Sequence, residues 1–217
     1  MTSDLPESLA ESWQPIGTRT AESSVLLASV TAETTLYEPI DRAERLSAIS
    51  ASEIPIRSLF AVTMTVSPSL SDLGISPGSF FSTAAPKAKA QFVDTLESEG
   101  VTVEGTRNTL EFEATNGAAG AWFVLDAGFP VESELTASGG DRLDAEAHVA
   151  VWPTETSYGM AGGTLPLEDG APVADGDGTT DADEPRVSLD VDPERDRETI
   201  ADLIRTVDIG TGHDAAE

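Results

Sequence analysis

Two stretches of this chain alternate with period two, and that period dictates a sheet. In Ile56–Val66 (IRSLFAVTMTV), Phe60, Val62, Met64 and Val66 fall on one side and Ala61, Thr63 and Thr65 on the other. In Leu143–Trp152 (LDAEAHVAVW), Leu143, Ala145, Ala147, Val149 and Val151 alternate with Glu146, His148, Ala150 and Trp152. Successive side chains of a strand point to opposite faces, so each run presents a well-buried face to a core. Further β-branched or apolar runs read as strands: Trp13–Thr20, Ser24–Val30, Glu33–Tyr37, Val101–Val103, Thr109–Glu113, Ala121–Phe129, Ser157–Leu165 and a fragment at Val187–Val191. Asn116-Gly117 marks a turn among them.

Three segments change period. Asp41 with Glu44 three residues on forms a capping box, which predicts a short helix to about Ala48. Phe81, Ala85, Ala88, Phe92 and Leu96 recur every three or four residues and draw one apolar stripe, with Gly100 as the C-terminal stop. Pro86 within this segment either opens the helix or kinks a longer one. Asp192-Pro193 starts a last helix, in which Ile200, Leu203, Ile204 and Val207 form the stripe and Gly210 ends it. The expectation is an α+β fold: a mainly antiparallel sheet with two long amphipathic helices and one short helix packed on its face or faces. Residues 13–210 form a single α+β domain in this reading, containing a disordered acidic loop at 167–186, with frayed ends at 1–12 and 211–217.

Charge then bounds the environment. The chain carries 39 Asp and Glu against 12 Lys and Arg, for a formal charge of -27, and only Lys87 and Lys89 are lysines. Carboxylates run from end to end, so one acidic tail does not produce the total. The Debye length falls from about 8 Å at physiological ionic strength to about 3 Å at 1 M salt, which relieves repulsion between neighbouring surface carboxylates. The composition is therefore that of a protein expected to require high salt for stability. The closest basic groupings, Arg42/Arg45 and Arg195/Arg197, sit among acids, so nucleic acid is not an expected partner. No run approaches the ~20 apolar residues of a membrane span, and the first residues lack the basic and apolar regions of a signal peptide. A cytoplasmic location is expected.

No catalytic, cofactor-binding or metal-ligating residue is assigned from the sequence. The chain has no Cys, which removes thiolate chemistry and Cys-based metal sites. An EF-hand register from Asp175 meets Thr180 where Gly is needed and Arg186 where Glu is needed. His148 and His213 are too far apart for a zinc signature. His213 belongs to an exposed tail. His148 is a general base, an interface residue or, as favoured here, a partly buried strand side chain with one hydrogen bond. Gly159-Met-Ala-Gly162-Gly163 is not a phosphate cradle, because no helix follows; strand glycines instead mark a bulge or a close packing approach. Trp152, Tyr158 and Met160 are expected to share a sheet face and are weighed together with Trp122, either as core under a covering helix, the reading favoured here, or as an aromatic patch for a partner or small apolar ligand.

The long helix before Gly100, the strands through Ala121–Leu165 and the closing helix ETIADLIRTVDI (198–209) give an order that resembles the PsbP-like sandwich. Trp13, the strand end Ala150-Val-Trp152, the GMAGG stretch (159–163) and that closing helix also resemble an uncharacterised family of acidic haloarchaeal proteins. The first resemblance implies a binding or assembly factor and the second implies no established activity. The expected function is a non-enzymatic binding or assembly module with a protein partner and no cofactor. The alternatives are a small-molecule or lipophilic-ligand binder, or an enzyme using His148. A carboxylate or Arg57 converging on His148 in a concave pocket would favour the enzyme.

Overall fold

A computed structural model describes residues 5–25, 28–41, 52–70, 72, 74–131, 142–168 and 190–209. These residues form one seven-stranded antiparallel sheet: β1 (Trp13–Val25), β2 (Ala28–Pro39), β3 (Ser58–Ser67), β4 (Thr102–Glu113), β5 (Ala119–Pro130), β6 (Arg142–Pro153) and β7 (Tyr158–Pro166). The spatial order is β1-β2-β3-β7-β6-β5-β4. Three helices accompany them among the described residues: α1 (Glu7–Ala10), α2 (Pro77–Ser98) and α3 (Pro193–Thr206). Two of these are long. The expected short helix at 41–48 lies outside the described residues beyond Asp41, and the short helix seen is α1.

The chain order explains the topology. β1 to β3 form a meander, α2 then carries the chain to the far edge, and β4 to β7 meander back until β7 pairs with β3. The central strands β6 and β7 are buried along nearly their whole length, because helices cover both sheet faces. On one face α2 packs Ala85, Phe92 and Leu96 against Phe60, Val62, Phe123, Leu125, Ala127, Phe129, Ala147 and Val149. Phe60 and Phe92 meet with ring centroids 5.0 Å apart. On the other face α3 lays Ile200, Leu203 and Ile204 against Leu59, Ala61, Trp122, Ala150, Trp152, Ala161 and Leu165. Leu9 of α1 and Trp13 join this second core. Residues read from sequence as a frayed N-terminus thus include a helical turn, which Ser8 ties to α3 by donating to Asp202 at 2.9 Å.

Several boundaries move for physical reasons. Ser24–Val30, read as one strand, is divided between the end of β1 and the start of β2, whose register sets Val25 opposite Ala28. Val101–Val103 and Thr109–Glu113, read as two strands, are one strand whose register shifts twice, between Val103 and Gly105 and between Thr106 and Asn108. Such bulges let an edge strand turn without ending. α2 begins at Pro77 and continues through Pro86, so the longer of the two expected helices forms. It ends in a Schellman motif: Gly100 at φ 86° donates to the Glu97 carbonyl at 3.0 Å and Val101 to the Leu96 carbonyl at 3.0 Å. Asp192 caps α3 by accepting from the Arg195 amide at 3.1 Å, as the Asp-Pro signal requires. The acidic loop beyond Glu168 and most of Val187–Val191 lie outside the described residues; Asp190 and Val191 are not in a strand.

The GMAGG stretch is a strand, β7, and its glycines are sites of close approach. A Cβ on Gly162 would overlap the His148 carbonyl oxygen, and one on Gly163 would overlap the Ser58 carbonyl oxygen. A Cβ on Gly159 would lie 2.6 Å from the Trp152 indole, which lies across it. The smallest residues therefore stand where two central strands and a large ring crowd together.

Candidate functional site

The alternation of β6 sends Glu146, His148, Ala150 and Trp152 toward α3. The pairing of β5 sets Val124 opposite His148 and Asp126 opposite Glu146. Two acids thus face each other across two strands beneath a helix, an arrangement that like-charge repulsion disfavours unless cations join it. Two arginines do. Arg197, in the first turns of α3, donates from Nε to Glu146 Oε2 at 2.7 Å and from Nη2 to Oε1 at 2.9 Å. Arg107, at the second β4 bulge, bonds both Glu146 and Asp126 and bridges the two carboxylates.

His148 closes the inner end of the cluster. Its ring is 3 % exposed, and Glu146 is 1 % exposed. Trp122 Nε1 donates to His148 Nδ1 at 3.2 Å, and His148 Nε2 stands 3.2 Å from Glu146 Oε2. An indole N–H only donates, so Nδ1 must accept and the ring proton resides on Nε2, directed at the carboxylate. The chain of bonds runs Trp122, His148, Glu146, Arg197 and Arg107, ending at Asp126 on the surface. Burial pushes the Glu146 carboxyl up, but hydrogen bonds from His148 and Arg197 and the charge of Arg197 pull harder and hold it at about 2.

A second buried pair flanks the first. Arg57, just before β3, donates from Nε to Asp196 Oδ2 at 2.8 Å and from Nη2 to the Asp190 carbonyl at 3.2 Å. Arg195 approaches the other Asp196 oxygen at 3.6 Å. Burial pushes the Asp196 carboxyl up, and the attraction of Arg57 and Arg195 offsets this only in part. The neighbouring residues Asp196 and Arg197 therefore fasten the start of α3 to the sheet with ion pairs of opposite sense, one to an arginine and one to a glutamate.

The sequence-selected residues now have places. His148 lies on the Trp152 side of its strand as expected, but it is fully buried and makes two side-chain hydrogen bonds rather than one. Arg57 converges on Asp196, not on His148. Trp152, Tyr158 and Met160 do not share a face. Trp152 pairs across from Gly159, whereas Tyr158 and Met160 pair with Pro153 and Val151, so the two residues of β7 look toward α2 and Trp152 toward α3. Trp152 is core, 1 % exposed with Phe112 edge-on at 5.9 Å, and Tyr158 is half-buried against the α2-side core and donates to the Pro77 carbonyl at 3.0 Å. His213 and the Asp175 loop lie outside the described residues. Among the described residues no group of three or more His, Cys, Asp or Glu is placed to hold a metal ion.

Glu146, Arg107 and Arg197 were not singled out from sequence. One signal was present, since Glu146 and His148 sit two apart on a strand and must share a face. The arginines come from a bulge 39 residues before Glu146 and from a helix 51 residues after it, which only the fold brings together. Chemically, the cluster orients and neutralises charge. Each ring nitrogen of His148 and each oxygen of Glu146 is already engaged, so no lone pair or proton is presented to a substrate. No curated protein and no solved structure matches the chain. A family model for a domain of unknown function, DUF6517, matches residues 6–208, and the chain belongs to that family.

Proposed function

We propose that the chain is a non-enzymatic binding or assembly module of a salt-adapted, haloarchaeal-type cytoplasm. The observation that carries this reading is the closed state of the His148–Glu146 cluster. The carboxylate that would favour an enzyme does converge on His148, but α3 covers both, and their hydrogen-bonding capacity is spent on Trp122, Arg107 and Arg197. A general base must reach the proton that it abstracts, and this one is turned inward. Helices on both sides of an antiparallel sheet are compatible with the PsbP-like sandwich, whose members mostly bind or assemble.

The test is recovery of the tagged chain from a haloarchaeal lysate kept in molar KCl. A stoichiometric protein partner, retained by a His148→Asn variant that still folds, supports the reading. Turnover of a metabolite pool by the purified chain, lost in His148→Asn, contradicts it.

A further inference from the structure

Asparagine is rare in this chain: Asn108 and Asn116 are the only two, and Asn116 alone precedes a glycine. An Asn-Gly pair carries its own chemistry. The side-chain carbonyl carbon of Asn is an electrophile, and closure of a five-membered ring joins it to the next backbone nitrogen. A Gly at that next position has no side chain to shield the nitrogen. Asn108 precedes Thr109, whose branched Cβ crowds the equivalent nitrogen.

The fold ties down both reacting groups. Asn116 and Gly117 lie in the loop between β4 and β5, which Ala114 closes by donating to the Ala118 carbonyl at 3.0 Å. Gly117 takes the left-handed conformation at φ 76°, and its N–H donates to the Ala114 carbonyl at 2.9 Å. Its proton is therefore engaged and has to leave before the nitrogen can attack. Asn116 Nδ2 donates to the Pro153 carbonyl at 3.0 Å, and Oδ1 accepts from the Ala118 amide at 3.0 Å. A carbonyl only accepts and an amide N–H only donates, so the side chain has a single orientation. Thr115 Oγ1 donates to the Val207 carbonyl at 3.1 Å and fastens the same loop to the end of α3. Ring closure expels the nitrogen held by Pro153 and removes the N–H held by Ala114, so it breaks bonds on both sides of the turn.

We infer that Asn116 is a covalent modification site that folding keeps closed: the unfolded chain deamidates there through a cyclic imide, and the folded chain resists. The Gly117 nitrogen loses its proton and bonds to Asn116 Cγ, the Cγ–Nδ2 bond breaks, and Nδ2 leaves as ammonia with that proton. Water then opens the ring, at one carbonyl to aspartate at position 116 and at the other to isoaspartate. Neither product restores the turn. Aspartate sets a carboxylate oxygen against the Pro153 carbonyl where a donor stood, and isoaspartate adds a backbone methylene to a tight hairpin loop. Time spent unfolded is thus recorded permanently in the chain. The site stands whether or not the protein binds a partner.

The experiment incubates the full chain at pH 8 and 37 °C in 3 M KCl, with and without urea sufficient to unfold it, and follows intact mass and peptide maps. Near-ultraviolet circular dichroism verifies the folded and unfolded states. The unfolded chain is expected to gain about 1 Da at Asn116, and the folded chain to gain it about tenfold more slowly or less, because reaction then waits on opening of the loop. Asn116→Gln, read in the same unfolded state, is expected to remove the gain, since its longer side chain has to close a six-membered ring. Chain modified in urea and returned to urea-free KCl is expected to unfold at a lower urea concentration than unmodified chain. Equal rates in the folded and unfolded chain, a gain that maps to Asn108, an unfolded chain with no gain, or modified chain as stable as unmodified chain overturns the inference.

Discussion

Replacing Glu146 with Gln should remove one of the two ion pairs that fasten the start of α3 to the sheet. The side chain keeps its size, but one charged oxygen becomes an NH2 group facing donors from His148 or the arginines. The magnitude follows from the carboxyl's displacement from its ordinary 4.5 to about 2, that is, about 3 kcal/mol at about 1.4 kcal/mol per pK unit. Arg107 and Arg197 are 46 % and 41 % exposed at their side chains and return to water when released, so the higher losses of about 5 kcal/mol known for fully buried pairs are not expected here. The sign follows from linkage. A depressed folded-state pKa contributes stability that is complete above the unfolded value and is lost as pH falls through the folded one. The difference between wild type and Glu146→Gln should therefore stand at about 3 kcal/mol above pH 5 and shrink toward pH 2. Urea unfolding in molar KCl, repeated from pH 7 to pH 2, measures it; the difference between variants cancels the titration of the other carboxylates. A variant within 1 kcal/mol of wild type at pH 7, or a difference independent of pH, would refute the argument.

Other consequences follow from the packing. Gly162→Ala forces a Cβ into the His148 carbonyl and should push β6 and β7 apart, with a loss of about 3 kcal/mol or more in the same urea assay. Leu203→Ala, in the α3 stripe at 0 % exposure, should lose about 2–5 kcal/mol. Asp192→Ala removes the α3 cap and should lose about 1 kcal/mol. Dialysis from molar to dilute KCl should abolish the near-ultraviolet circular dichroism signal, because surface carboxylates then repel over a longer range; an unchanged spectrum would remove the salt argument.

Much of the sheet is legible in the sequence, since period two in β3 and β6 assigns every side chain a face. That reading placed Phe60 and Val62 apart from Ala61, and His148 beside Trp152, as the fold has them. The stripe Ile200–Val207 and the Asp-Pro start likewise define α3. Register is what single runs do not contain. Whether Trp152 stands opposite Gly159 or beside Tyr158 depends on the turn between β6 and β7, and a shift of one residue reverses the faces. The bulge that brings Arg107 to Glu146 is equally silent, because Arg107 reads as one of ten arginines in an acid-rich chain. Acid excess hides the site in a second way: Glu146 and Asp196 differ from the other carboxylates only by burial.

The His148–Glu146 cluster is a closed brace under α3. Nitrogen-15 NMR of the His148 ring in molar KCl tests it most directly. A closed brace gives a single tautomer with the proton on Nε2, Nδ1 accepting from the Trp122 indole, and a ring proton protected from exchange with solvent. A proton on Nδ1, or rapid exchange with water, would mean that the ring is open to substrate and would contradict it.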